Sequence, residues 1–82
     1  MTAGEVFGVV RDAVVTVMEV EPASVTRETR LVDDLRCDSL ALCEIAEIVE
    51  ETLAVPGFRI EDADLDDIHT VGQAVDYAMA RL

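Results

Sequence analysis

Eighty-two residues leave room for one small domain and exclude a two-domain enzyme. Apolar residues make up 51% of the chain, with two Phe, one Tyr and no Trp, so its core is one of Val, Leu, Ile and Ala and disorder is excluded. Eighteen acidic side chains against six basic ones give a net charge of −12, which argues against nucleic acid or a membrane surface as partner and favours basic protein surfaces.

The first apolar stripe, Val6, Val9, Val10, Ala13 and Val17, has helical spacing and predicts a helix over roughly residues 3 to 18, with Thr2 and Glu5 spaced as a capping box. No basic, uninterrupted apolar segment opens the chain: Glu5, Arg11 and Asp12 break it, so neither a signal peptide nor a transmembrane helix fits, and a cytoplasmic protein is expected. Residues 19 to 37 read as a loop, with Val25, Leu31, Val32 and Leu35 as apolar residues able to pin it to a helical core. That length exceeds the usual connection and points to a functional segment.

A second helix starts after Asp38, a good N-cap residue. Leu42, Ile45, Ala46, Val49 and Leu53 supply its inner face, and Pro56-Gly57 follows its end. On the other side, Leu40, Glu44, Glu47 and Glu51 lie within about 60° of one another, an acidic stripe headed by one apolar residue that fits a solvated face as well as a docking face. Residues 54 to 60 read as a turn and residues 61 to 67 as a short helical turn. The last helix, about 70 to 81, carries Val71, Ala74, Val75, Ala78 and Leu82 inward, with Thr70 and Gln73 as its capping box. The expected fold is all-α: a small bundle of four helices, three main and one short, forming a single domain over residues 1 to 82.

Chemistry-bearing residues are few. All six basic residues are Arg, and without Lys the chain cannot be a biotinyl or lipoyl carrier, both of which need a lysine amine. Cys37 and Cys43 have neither CxxC nor paired-His spacing and are expected to be reduced thiols. Asp62, Asp64 and Asp66 alternate as in a calcium loop, yet Asp67 stands where that loop requires Gly and Gln73 where it requires a bidentate Glu, so no metal site is expected. Ser39, His69 and Asp38 do not make a hydrolase triad, because no G-x-S-x-G elbow is present and the Asp adjoins the serine instead of orienting the imidazole. Tyr77 and Phe58 read as packing residues. What remains is Ser39 at the first position of the second helix, where unpaired N–H groups and the helix dipole favour a phosphate ester.

The run Thr26, Leu31-Val32-Asp33-Asp34-Leu35, Asp38-Ser39-Leu40, then Glu44, Glu47, Glu50 and Glu51, with Ile68-His69-Thr70-Val71 opening the last helix, resembles acyl carrier protein over nearly the whole chain. The resemblance implies that Ser39 carries 4′-phosphopantetheine, donated by coenzyme A on a phosphopantetheinyl transferase, and that Asp38 helps the transferase position the site. It implies a docking face of Leu40, Glu44, Glu47 and Glu51 for the basic patches of a ketosynthase, an acyltransferase or other acyl-handling enzymes. The protein would then be a monomeric carrier of thioesters and no catalyst, serving polyketide or fatty acid biosynthesis. Three departures from the family pattern stand out: Arg36 where Gly is usual, Glu47 at a docking position that is often apolar, and a loop Ala54 to Arg59 that looks a few residues longer. Together they favour a specialised polyketide, hybrid or aminoacyl pathway, within secondary metabolism, over housekeeping lipid synthesis. Aminoacyl or peptidyl cargo, and an unmodified acidic docking protein, are the competing readings.

Overall fold

The computed structural model describes residues 1–82. Its first helix, α1 (Ala3–Met18), begins as the capping-box spacing predicts: Glu5 N donates to Thr2 Oγ1 at 3.2 Å and Thr2 N to Glu5 Oε1 at 2.9 Å. The helix ends on Glu19 in the left-handed region, φ 55°, whose N–H donates to Val15 O. Val6, Val10, Ala13 and Val14 are buried, whereas Val9 and Val17 are half-exposed. The inner face is thus rotated toward Val14, a residue outside the expected stripe, because α1 meets two helices and not one.

Those two are α2 (Ser39–Leu53) and α4 (Val71–Arg81), both packed against α1. Ile45, Ala46, Val49 and Leu53 face inward from α2, and Val71, Val75 and Ala78 from α4. Leu42 and Ala74 are only partly buried, and Leu82 is exposed at the end of the chain. Burial of each Val, Leu or Ile contributes about 1.5–3 kcal/mol, so this aliphatic cluster supplies most of the favourable free energy of folding. The fourth helix is the short α3 (Asp62–Leu65), which completes the expected all-α bundle of three main helices and one short one. No helix of the chain is long and apolar enough to cross a membrane.

The long connection between α1 and α2 is ordered by its own bonds. It opens with a 3-10 turn, Pro22–Ser24, and continues through Thr29, the one buried polar side chain, whose Oγ1 accepts from Thr26 N at 2.9 Å. Val25, Leu31 and Cys37 are buried in the core and Leu35 is half-buried. Val32, expected to help pin the loop, instead stands 51% exposed, because the turn through residues 31–36 directs Leu31 and Leu35 inward and leaves it outside. Three backbone bonds stitch the loop to the start of α4: Leu31 N to His69 O at 2.9 Å, Val71 N to Thr29 O at 3.0 Å and Gly72 N to Arg27 O at 2.8 Å. The accompanying isolated antiparallel bridge between Arg30 and Thr70 is the only β pairing in the chain.

The connection from α2 to α3 is tight despite its length. Val55, Pro56, Gly57 and Phe58 form a turn closed by Phe58 N donating to Val55 O at 3.0 Å, with Pro at the second position and Gly57 at φ 81° in the third, the arrangement a type II turn needs. The turn returns Phe58 to the core, where it is 7% exposed.

Candidate functional site

Ser39 is the first residue of α2, and its side chain is exposed. Asp38 caps the helix, its Oδ1 accepting from Ala41 N at 2.8 Å, and its carbonyl accepts the first helical bond from Leu42 N at 3.0 Å. The backbone N–H groups of Ser39 and Leu40 have no acceptor in the protein, and the Ser39 hydroxyl makes no hydrogen bond. An exposed, unengaged hydroxyl beside free N–H donors at the positive end of a 15-residue helix suits a covalently attached phosphate ester. The residues present therefore fit a phosphate-linked prosthetic group at this position.

The segment that leads to Ser39 is clasped from within. Arg30 donates to Asp34 Oδ1 through Nη2 at 2.9 Å and Nε at 3.2 Å, its backbone N–H donates to Asp34 Oδ2 at 2.8 Å, and Asp33 lies 3.9 Å from Nη1. The Arg30 side chain, then its backbone N–H, hold the Asp34 carboxyl below the ordinary carboxylate range. With its folded pKa below its unfolded one, Asp34 contributes stability that is present above the unfolded pKa and is lost as pH falls through the folded one. Both groups are solvent-exposed, so the contribution is small and weakens with salt. Carboxyl NMR titration is expected to show Asp34 protonating at lower pH than an unpaired Asp, with Arg30→Gln raising the midpoint only part of the way, since the backbone donor stays. A midpoint unmoved by the substitution would show that the clasp is not formed in solution.

Between the clasp and Ser39, Arg36 adopts φ 59°, the left-handed region that side chains other than Gly and Asn rarely occupy. This is the position where the resemblance expects Gly, and the backbone geometry gives the reason for that preference. Cys37 follows, buried, its N–H bonded to Leu31 O at 3.0 Å, and its thiol is pushed above the usual range by burial and then by the adjacent Asp38. It is a core residue. Cys43 is half-buried one turn beyond Ser39.

The stripe expected on α2 is where the sequence places it: Leu40, Glu44, Glu47 and Glu51 are all exposed, and Leu40 is 67% exposed. None of these carboxylates has an ion-pair partner in the chain. They leave an uncompensated negative face running away from Ser39.

On the other side of α2 lies a narrow apolar cleft of about 30 Å³. Leu42, Ile45 and Val49 of α2 form one wall; Ile60, Leu65 and the Tyr77 ring form another. Tyr77 and Asp64, read from the sequence as a packing residue and as part of a false calcium loop, turn out to be bonded to each other. Tyr77 Oη donates to Asp64 Oδ2 at 2.6 Å, and Arg81 stacks on the Tyr77 ring at 3.5 Å from its centroid. Burial and then the bond to Asp64 raise the Tyr77 phenol above its ordinary pKa. No three His, Cys, Asp or Glu side chains converge on a point that could hold a metal ion. Nothing in the spacing of Asp64 and Tyr77, 13 residues apart on different helices, signals their pairing.

Comparison with known proteins agrees with this geometry. Residues 8–78 match the family described as the phosphopantetheine attachment site. The chain is 36% identical over 78 residues to the acyl carrier protein of Thermotoga maritima, covering 95% of this chain and 93% of that protein. It is also similar to the meromycolate extension acyl carrier proteins of Mycolicibacterium smegmatis, 38% identical over 76 residues, and of Mycobacterium leprae, 36% over 77 residues; these alignments cover 93% and 94% of this chain but 74% and 64% of those longer proteins.

Proposed function

Because the chain belongs to the acyl carrier protein family, whose covalent group is 4′-phosphopantetheine, we propose that Ser39 is the residue that carries this group and that residues 1–82 act as one carrier domain. The single observation behind the assignment is the exposed, unbonded Ser39 hydroxyl at the N-terminus of α2, flanked by the free N–H groups of Ser39 and Leu40. Proteins of this family carry acyl groups and work with acyl-handling enzymes; they are not catalysts. The arm supplies a terminal thiol that holds acyl groups as thioesters. Asp38 keeps the start of α2 rigid, so that Ser39 is presented in one orientation, and the two free N–H donors stabilise negative charge on the phosphate.

A phosphopantetheinyl transferase would install the arm from coenzyme A. Incubation with that enzyme, coenzyme A and Mg²⁺, followed by intact mass spectrometry, is expected to show one added phosphopantetheine per chain. A folded sample that gains none would favour the competing reading, an acidic docking protein that is never modified.

Leu40, Glu44, Glu47 and Glu51 form the docking face in this proposal, with basic patches on a ketosynthase, an acyltransferase or the transferase itself as partners. Unpaired carboxylates on one helix face steer a cationic surface before contact, and this shows as an association rate that falls with salt. Replacing Glu44, Glu47 and Glu51 together by Gln is expected to slow association with such an enzyme about tenfold at low ionic strength and to flatten its salt dependence. Equal rates for the two proteins at low salt would place docking elsewhere.

The wholly apolar lining of the cleft favours acyl over aminoacyl cargo. Polyketide or fatty acid intermediates both satisfy it. The mycobacterial relatives are named for meromycolate extension, and Glu47 and the longer loop that the resemblance suggests before α3 favour specialised cargo; we place the protein among carriers of acyl chains under extension. The free thiols Cys37 and Cys43 suit a reducing compartment, and a cytoplasmic monomer is the form proposed.

A further inference from the structure

Residues 60–65 supply one wall of the apolar cleft, and side chains from two different helices hold them in place. Ile60 N donates to Glu50 Oε1 of α2 at 2.7 Å, and the next amide, Glu61 N, donates to Tyr77 Oη of α4 at 3.3 Å. Tyr77 Oη passes its own hydrogen to Asp64 Oδ2 at 2.6 Å, while Arg81 reaches the same carboxylate oxygen at 3.5 Å and covers the ring. Little else restrains the segment. α3 is a single turn, its N-cap residue Glu61 makes no side-chain capping bond, and the backbone bonds Asp64 N to Glu61 O, Asp67 N to Asp64 O and Ile68 N to Leu65 O all lie within the segment or just beyond it. Its apolar anchors, Ile60 and Leu65, are only partly buried.

A cleft of about 30 Å³ has room for little more than a water-sized group, so a longer chain enters only when one wall yields. The rest of the lining comes from the core helices α1, α2 and α4 and from the buried Leu31 and Ile68, so residues 60–65 are its weakly held part. We infer that Glu50 and Tyr77 are positioning residues that latch residues 60–65 shut over the cleft and thereby set the acyl length at which it opens. The inference rests on the reading of Ser39 as the point of attachment. Its physical basis is a difference in scaling: breaking the latch costs a fixed amount once, whereas each methylene that enters adds further burial. Short acyl groups then leave the wall closed and stay in solvent, and longer ones open it.

The latch can be tested in the unloaded protein by native-state hydrogen exchange. Tyr77→Phe keeps the ring and removes the bonds to Glu61 and Asp64; Glu50→Ala removes the acceptor for Ile60, and Glu50→Gln keeps an acceptor oxygen. Exchange is expected to quicken about tenfold at Glu61 in the first variant and at Ile60 in the second, and to be largely restored in the third. In protein loaded at Ser39 with acetyl, butanoyl, hexanoyl or octanoyl groups, the Val49 and Ile68 methyl NMR signals should move beyond a threshold length, and that threshold should be shorter in Tyr77→Phe and Glu50→Ala than in the unaltered chain. A purely structural role would lower stability without shifting the threshold. Unchanged exchange at Ile60 and Glu61, or one threshold shared by all variants, overturns the latch; failure of Ser39 to accept any acyl arm overturns the attachment reading instead, and the exchange result still decides the latch.

Discussion

Replacing Ser39 by Ala is expected to abolish phosphopantetheine attachment completely while leaving stability within about 0.5 kcal/mol of the original, because an exposed side chain with no bonds in the fold is removed. The helix keeps its start: Asp38 still caps Ala41 N, and Ala is a good residue for the first turn. Loss of modification with an unaltered melting curve separates a chemical role from a structural one. Asp38→Ala should behave differently. It removes the cap and costs about 1 kcal/mol, and any fall in modification would then track a frayed helix start as well as a lost transferase contact. Persistence of the mass gain in Ser39→Ala would move the arm to another hydroxyl and with it the whole reading of the α2 N-terminus.

A single added methyl is expected to cost stability at Gly72 through a close contact across the fold. Its N–H donates to Arg27 O at 2.8 Å, and a Cβ built there would lie 3.0 Å from that same oxygen and 3.3 Å from both Arg27 Cβ and Nη2. The Arg27 side chain cannot swing aside freely, since Nη2 is bonded to both Asp76 carboxylate oxygens, at 2.9 and 3.1 Å. Relief would require the loop to give by a few tenths of an ångström against α4, straining the backbone stitch that positions the segment leading to Ser39. Overpacking of this kind costs about 1–3 kcal/mol, against a gain of at most about 1 kcal/mol from the better helix propensity of Ala. Gly72→Ala should therefore lose roughly 1–2 kcal/mol, and for a domain this size each kcal/mol lowers Tm by about 4–8 °C. Gly8→Ala is the internal comparison: a Cβ there meets nothing nearer than 3.9 Å, so the same chemical change should raise stability by up to about 1 kcal/mol. If both substitutions shift Tm in the same direction, the close approach at Arg27 does not govern the result.

The cleft and its latch give the connection before α3 and one residue of the acidic run a structural setting. The connection before α3 carries no slack, since the turn at Pro56-Gly57 buries Phe58 and delivers Ile60 to Glu50. Glu50 is thus set apart from its neighbours in the acidic run. Glu47 and Glu51 point to solvent, and Glu50 holds the backbone of the next segment.

What could be read from the residues alone was local. Helical spacing marked all three main helices, and both capping boxes formed as predicted because each needs only residues three apart on one turn. The same locality put Ser39 at the start of α2 behind Asp38, and put Leu40, Glu44, Glu47 and Glu51 together on one exposed face. Tertiary structure decided everything that depends on how two helices meet. It chose Val14 over Val17 for the core, turned Val32 outward, pressed Gly72 onto Arg27, and joined Tyr77 to Asp64 and Glu50 to Ile60. Periodicity specifies a face of a helix but neither its neighbour nor its rotation against that neighbour. A polar side chain that ties residues 10 to 49 positions away therefore leaves no mark in spacing.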